Sequence, residues 1–151
     1  MSLLVDKVAI ITGASAGIGR ATARLFAQEG AKLVLAARRQ QQLDELLVEI
    51  AANGGEAVAL AGDVADERYN KALVDVAIST FGRLDIAFNN AGILGKAKPV
   101  PEIDLAEWNE TISTNLSSAF LAAKHQIPTM LDRGGSIIFT SSFVGYTVGF
   151  A

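Results

Sequence analysis

The stretch Val8-Ala9-Ile10-Ile11-Thr12-Gly13-Ala14-Ser15-Ala16-Gly17-Ile18-Gly19 decides the fold. Its first four residues are all apolar and run straight into a glycine-rich segment, the pattern of a short strand buried on both faces. A helical pattern begins within the same glycine-rich stretch. From Ile18 through Ala21, Leu25 and Phe26 the apolar residues recur three and four apart, and Gly30 stands in a C-terminal stop position. A tight strand-to-helix turn rich in glycine has a specific use. Glycines let the main chain turn sharply and approach a diphosphate closely, and the free amides and dipole at a helix start favour its negative charge. A phosphate loop of the nucleoside triphosphatase type is excluded, because no Gly-Lys-Ser or Gly-Lys-Thr follows.

Outward from this unit the same alternation repeats. Lys32–Ala37 reads as a second buried strand and Gln40–Ala52 as a helix with a Leu43, Leu46, Leu47, Ile50 stripe, closed by Asn53-Gly54-Gly55. Ala57–Ala61 is a third strand, and Asp66 caps a helix with Leu73, Val76, Ala77 and Phe81 on its apolar face, stopped by Gly82. Leu84–Phe88 is a fourth strand, helical patterns follow over Leu105–Ser113 and Leu116–Leu131, and Ser136–Thr140 is a fifth strand. Strands alternating with helices of this length imply right-handed crossovers and a parallel sheet covered on both faces. The expected fold class is therefore α/β: a doubly wound, Rossmann-like parallel sheet of five strands, with residues 1–151 forming one dinucleotide-binding domain.

Composition narrows the function. Half of the 151 residues are hydrophobic and 19% are charged, which fits one globular domain and excludes disorder. A chain of this length buries about two-thirds of its unfolded surface, so its core needs no metal or disulfide. No cysteine is present and His125 is the one histidine, which excludes thiolate metal sites, a cysteine nucleophile and a histidine-rich metal cluster. A cysteine-free chain is compatible with a reducing cytoplasm, the expected compartment. The net charge of −3 supplies no broad basic surface, so nucleic acid is not an expected partner. Asp6 and Lys7 interrupt the apolar N-terminal residues, so neither a targeting segment nor a membrane association is expected.

The end of the second strand bears on cofactor choice. A carboxylate there accepts from both hydroxyls of an adenosine ribose, but here the residues are Ala36-Ala37-Arg38-Arg39. A guanidinium pairs instead with a 2′-phosphate, which favours NADP over NAD and puts Arg38 first among the candidates.

The spacing Thr12-Gly13-x-x-x-Gly17-x-Gly19, together with Asn89-Asn90-Ala91-Gly92 after the fourth strand, resembles the short-chain dehydrogenase/reductase family. The resemblance covers the whole chain and implies hydride transfer between a nicotinamide and a small-molecule carbonyl or alcohol. It implies that Gly13, Ser15, Ala16, Gly17, Ile18 and Gly19 cradle the cofactor, that Asp63 touches the adenine amino group and that Val64 walls its pocket. Asn89, Ala91 and Gly92 would support the central strand and line the ribose side. Asn115 would sit at a helix irregularity and hold a water for proton relay, and Ser142 would hydrogen-bond the reacting oxygen. The family's general acid/base is a Tyr whose pKa is lowered by a Lys four residues later. Neither Tyr69, followed by Leu73, nor Tyr146, followed by Phe150, fits that motif. The chain is thus expected to be the N-terminal part of such an enzyme, incomplete before Tyr-x-x-x-Lys, inactive alone and a homo-oligomer when full length. The competing reading is a non-catalytic nucleotide-binding fragment or interaction module. A sugar-nucleotide epimerase or dehydratase fits less well, since those families space their glycines Thr-Gly-x-x-Gly-x-x-Gly.

Four further residues carry no expected chemistry. His125, with no partner nearby in sequence, reads as surface or interface. Trp108 reads as a core or interface anchor, and Asp104 with Glu107 as a helix-start cap.

Overall fold

The computed structural model describes residues 2–96 and 98–142. Tyr146 lies outside them. Strands β1 (Val8–Thr12), β2 (Lys32–Ala37), β3 (Glu56–Ala61), β4 (Ile86–Asn89) and β5 (Ser136–Phe139) form one sheet. Its order is β3-β2-β1-β4-β5 and every neighbouring pair is parallel. Helices α1 (Gly17–Gln28), α2 (Gln40–Ala52), α3 (Glu67–Phe81), α4 (Leu105–Ile112) and α5 (Ser118–Met130) connect the strands. This is the expected doubly wound Rossmann-like architecture.

Alternation along each strand divides the core into two layers. Val8 and Ile10 of β1 and Val34 of β2 face Leu73 and Ala77 of α3 and Met130 of α5. Ile11, Leu33 and Leu35 face Ala23 of α1 and Leu43, Leu46 and Ile50 of α2. All five residues of β1 are buried, because the strand lies in the middle of the sheet with helices on both faces. β1 pairs with β2 on one side and β4 on the other, so the winding reverses between β1 and β4. The crevice outside the strand ends at such a reversal is where open α/β sheets hold their ligands.

The expected fourth strand begins two residues late. Asp85 is buried, and its Oδ2 accepts the Val8 N–H at 2.9 Å while its own N–H donates to the Val8 carbonyl. The Ser136 N–H donates to the Asp85 carbonyl. One acidic residue thus joins the starts of β1, β4 and β5 and displaces the regular ladder to Ile86.

The two helices expected over 105–131 are one rod. Between α4 and α5 the chain makes a π-turn, Ser113–Ser117, without leaving the helical region. The expected caps are present: Asp66 accepts from the Arg68 N–H and Asp104 from the Glu107 N–H. Trp108 is more than half exposed, and Leu105, Leu116, Phe120 and Leu131 along the rod are also exposed.

Candidate functional site

A cleft of about 380 Å³ opens where the sheet reverses. It is walled by the β1–α1 loop, the ends of β2 and β3, and the segment after β4. Gly13, Ser15, Ala16 and Gly17 line it from the first of these. Gly13 and Gly17 have φ of +68° and +54°, which other residues adopt only under strain. A Cβ on Gly13 would stand 2.9 Å from Asn90 Nδ2, and one on Gly19 would stand 2.3 Å from the Gly13 carbonyl oxygen. These two glycines bring loop, helix and strand together. Gly17 instead faces open space. Ala16, the N-cap of α1, supplies no side-chain acceptor to the first-turn amides. A helix start with free amides at a glycine-lined cleft fits a diphosphate, so the residues present suit a dinucleotide. Gly19 is buried and Ile18 points outward; neither lines the cleft, and their part is to build its edge.

Arg38 and Arg39 both line the opposite wall with Ala37. Arg39 donates from Nη2 to Ser15 Oγ at 2.9 Å, bridging the β2 end to the glycine loop. Asp63 and Val64 follow, from the turn after β3. One Asp63 oxygen accepts the Ala65 N–H at 2.9 Å, so this residue both shapes the turn and faces the cleft. Tyr69 lies beneath that turn, donating its hydroxyl to the Leu60 carbonyl at 2.6 Å. Burial pushes the Tyr69 hydroxyl well above the usual phenol range, which unsuits it to acid/base work near neutrality.

On the third wall Asn90, Ala91, Gly92, Ile93 and Thr114 line the cleft. The Asn90 and Ala91 amides both donate to Thr12 Oγ1, at 2.9 and 3.0 Å, and Thr140 Oγ1 donates to Asn90 Oδ1 at 3.0 Å. Asn89 faces away from the main cleft. Its amide forms a reciprocal pair with that of buried Gln126, both hydrogen bonds 2.9 Å. Asn115 stands in the π-turn, at the helix irregularity expected of it. Its Oδ1 accepts the Ile93 N–H and its Nδ2 donates to the Ile93 carbonyl, both at 2.8 Å. One hydrogen and one lone pair of the amide remain. Asn115 also borders a polar cavity of about 40 Å³ with Thr12, Asn70, Ser118 and Thr140, large enough for a water molecule. Ser142 is exposed, two residues past Thr140.

Sequence reasoning did not single out Thr12, Asn90 or Gln126 for the site, and it ranked Arg39 behind Arg38. Asn90 carried the available signal, since it lies inside the quoted Asn-Asn-Ala-Gly stretch. His125 is half-buried where α5 meets α3, with Nε2 3.3 Å from Glu67 Oε1, a carboxylate it meets only through the fold.

Comparison with known proteins agrees with this geometry. The family model described as short chain dehydrogenase matches residues 7–151. A cyclohexanol dehydrogenase from Acinetobacter sp. (strain SE19) is 38% identical over 144 residues, covering 95% of this chain and 57% of the relative. Among solved structures, a short-chain type dehydrogenase/reductase from Mycobacterium marinum superposes with a TM-score of 0.92 at 35% identity, covering 98% of this chain and 60% of that one. A 7α-hydroxysteroid dehydrogenase complexed with NADH and 7-oxo glycochenodeoxycholic acid gives 0.91 at 35% identity, over 97% of this chain and 57% of that one. The strand order, the glycine-lined cleft at the reversal and these likenesses define a Rossmann-like α/β protein. This chain belongs to the short-chain dehydrogenase family. It spans about three-fifths of the length of the relatives it matches.

Proposed function

We propose that residues 1–151 form the cofactor-binding unit of an NADP-dependent oxidoreductase acting on a small carbonyl or alcohol. The observation that carries this reading is the pairing, in one cleft, of a glycine-lined helix start with a basic, carboxylate-free end of β2. Gly13, Ser15, Ala16 and Gly17 would hold the diphosphate, and Arg38 and Arg39 the 2′-phosphate. Asp63 and Val64 would receive the adenine, and Ala91 and Gly92 the ribose beyond it. When bound, the nicotinamide supplies or accepts the hydride.

The chain's own residues would then orient the reacting partner. Ser142 would donate a hydrogen bond to the substrate oxygen, placed by the Thr140 to Asn90 link two residues earlier. Asn115 would keep the Ile93 main chain at the rim and use its remaining amide valences on a relay water in the adjoining cavity. The steroid dehydrogenase relative is complexed with NADH, so the NADP preference rests on Arg38 and Arg39 of this chain alone.

Fluorescence titration with NADPH and NADH tests the reading. A charge-assisted hydrogen bond contributes about 1.5–3 kcal/mol, so NADPH should bind roughly ten- to a hundredfold tighter, and Arg38→Ala should remove most of that preference. A preference for NADH in the unmodified protein would overturn the assignment.

A further inference from the structure

The turn carrying Asp63 and Val64 into the cleft is built from beneath by two consecutive residues of α3. Tyr69 donates its hydroxyl to the Leu60 carbonyl, and its ring lies under Gly62 so closely that a Cβ there would stand 2.3 Å from a ring carbon. Asn70 Nδ2 donates to the Val64 carbonyl at 2.7 Å and to the Asp66 carbonyl at 2.8 Å. The Gly62 N–H donates to the Ala37 carbonyl at 3.0 Å, so the turn is also tied to the end of β2. Neither α3 side chain lines the cleft.

Asn70 is 3% exposed. A buried amide in a helix costs desolvation and helix propensity, and an apolar side chain would have packed there more simply. What the amide accomplishes is to hold the Val64 carbonyl, a group between the cleft residues and the helix cap. Fixing that carbonyl fixes the direction in which the peptide planes on either side of Val64 run, and with them the positions of Val64 and Asp63.

We propose that Asn70, with Tyr69 beside it, is a positioning residue for the adenine end of the cleft, acting through the Val64 carbonyl to hold Asp63 where it reads the adenine amino group. The inference rests on the dinucleotide reading of the cleft and extends it to base selectivity. Its signature is therefore discrimination between adenine and hypoxanthine, which lacks the amino group. A loss of stability alone would weaken both forms equally.

The test is fluorescence titration of the whole chain with NADPH, NADH and the hypoxanthine analogue of each. A hydrogen bond to a carboxylate gives an expected adenine preference of roughly tenfold in the unmodified protein. Asn70→Val removes both N–H donors and should bring the ratio close to one. Tyr69→Phe should lower it in the same direction and decides the matter if Asn70→Val does not fold. An unchanged ratio in the folded variant, or no adenine preference in the unmodified protein, would overturn the inference while leaving the dinucleotide reading intact. Failure of the unmodified protein to bind any of the four dinucleotides would overturn both.

Discussion

Gly17 and Gly19, two residues apart at the start of α1, should respond to the same substitution in different ways. At Gly19 an added methyl would sit 2.3 Å from the Gly13 carbonyl oxygen, 2.7 Å from its carbon and 2.9 Å from Asn90 Nδ2. Ordinary contact begins near 3.4 Å, so Gly19→Ala forces loop and helix apart by about an ångström. Such overpacking costs about 1–3 kcal/mol. At Gly17 nothing stands within 4 Å of the added methyl, and the cost is the left-handed backbone at φ +54°, about 1–2 kcal/mol. Gly17 is exposed and lines the cleft, so an added methyl would occupy the space assigned to the diphosphate under the proposed function. Gly19→Ala is therefore expected to lower the melting temperature more than Gly17→Ala, whereas Gly17→Ala should weaken NADPH binding at least tenfold while still folding. Thermal unfolding and fluorescence titration on the same two proteins measure both quantities. Unchanged NADPH affinity in Gly17→Ala would refute the placement of the diphosphate at this loop.

Other expectations follow from the surrounding contacts. Burial acts to raise the Asp85 pKa, but hydrogen bonds from Arg83 and the Val8 amide outweigh it and hold the carboxyl below its usual range. A folded-state pKa below the unfolded one contributes stability above the unfolded value, about 4, that is lost as pH falls through the folded one. Asp85→Asn should therefore lower the melting temperature at neutral pH, with the gap to the unmodified protein closing on acidification below about pH 4; a gap independent of pH would refute this account. Asn115→Ala removes two hydrogen bonds to Ile93 and should cost about 1–3 kcal/mol by denaturant unfolding. In an enzyme containing this chain, Ser142→Ala should lower kcat with little change in cofactor affinity, and unchanged turnover would reject the proposed contact with the substrate oxygen.

The features legible in the sequence were those written in neighbouring residues. The apolar run Val8–Ile11 ahead of Gly13, Gly17 and Gly19 was enough to place β1, the loop and α1, because burial and backbone freedom are local demands. Asp66 and Asp104 were readable as caps for the same reason. The π-turn itself was expected only through family resemblance. The pairings that complete the site span long separations: Arg39 with Ser15, Asn115 with Ile93, Asn89 with Gln126 and His125 with Glu67. No periodicity announces them, since each polar side chain had other plausible uses until the sheet fixed its neighbours. The late start of β4 has a similar origin, for an acidic residue next to an apolar run gives no sign that its carboxylate will replace a ladder carbonyl.

The single hydroxyl of Thr12 gathers the amides of Asn90 and Ala91, and Asn90 in turn holds Thr140. Three strand tips from distant parts of the chain thereby share one fastening, with the glycine-rich loop on one side and Ser142 on the other. Loosening any tip transmits slack to both. On the proposed function, substitutions at positions 12, 90 and 140 would change coenzyme grip and substrate alignment in concert, while substitution of Arg38 at the far wall would retune coenzyme choice by itself.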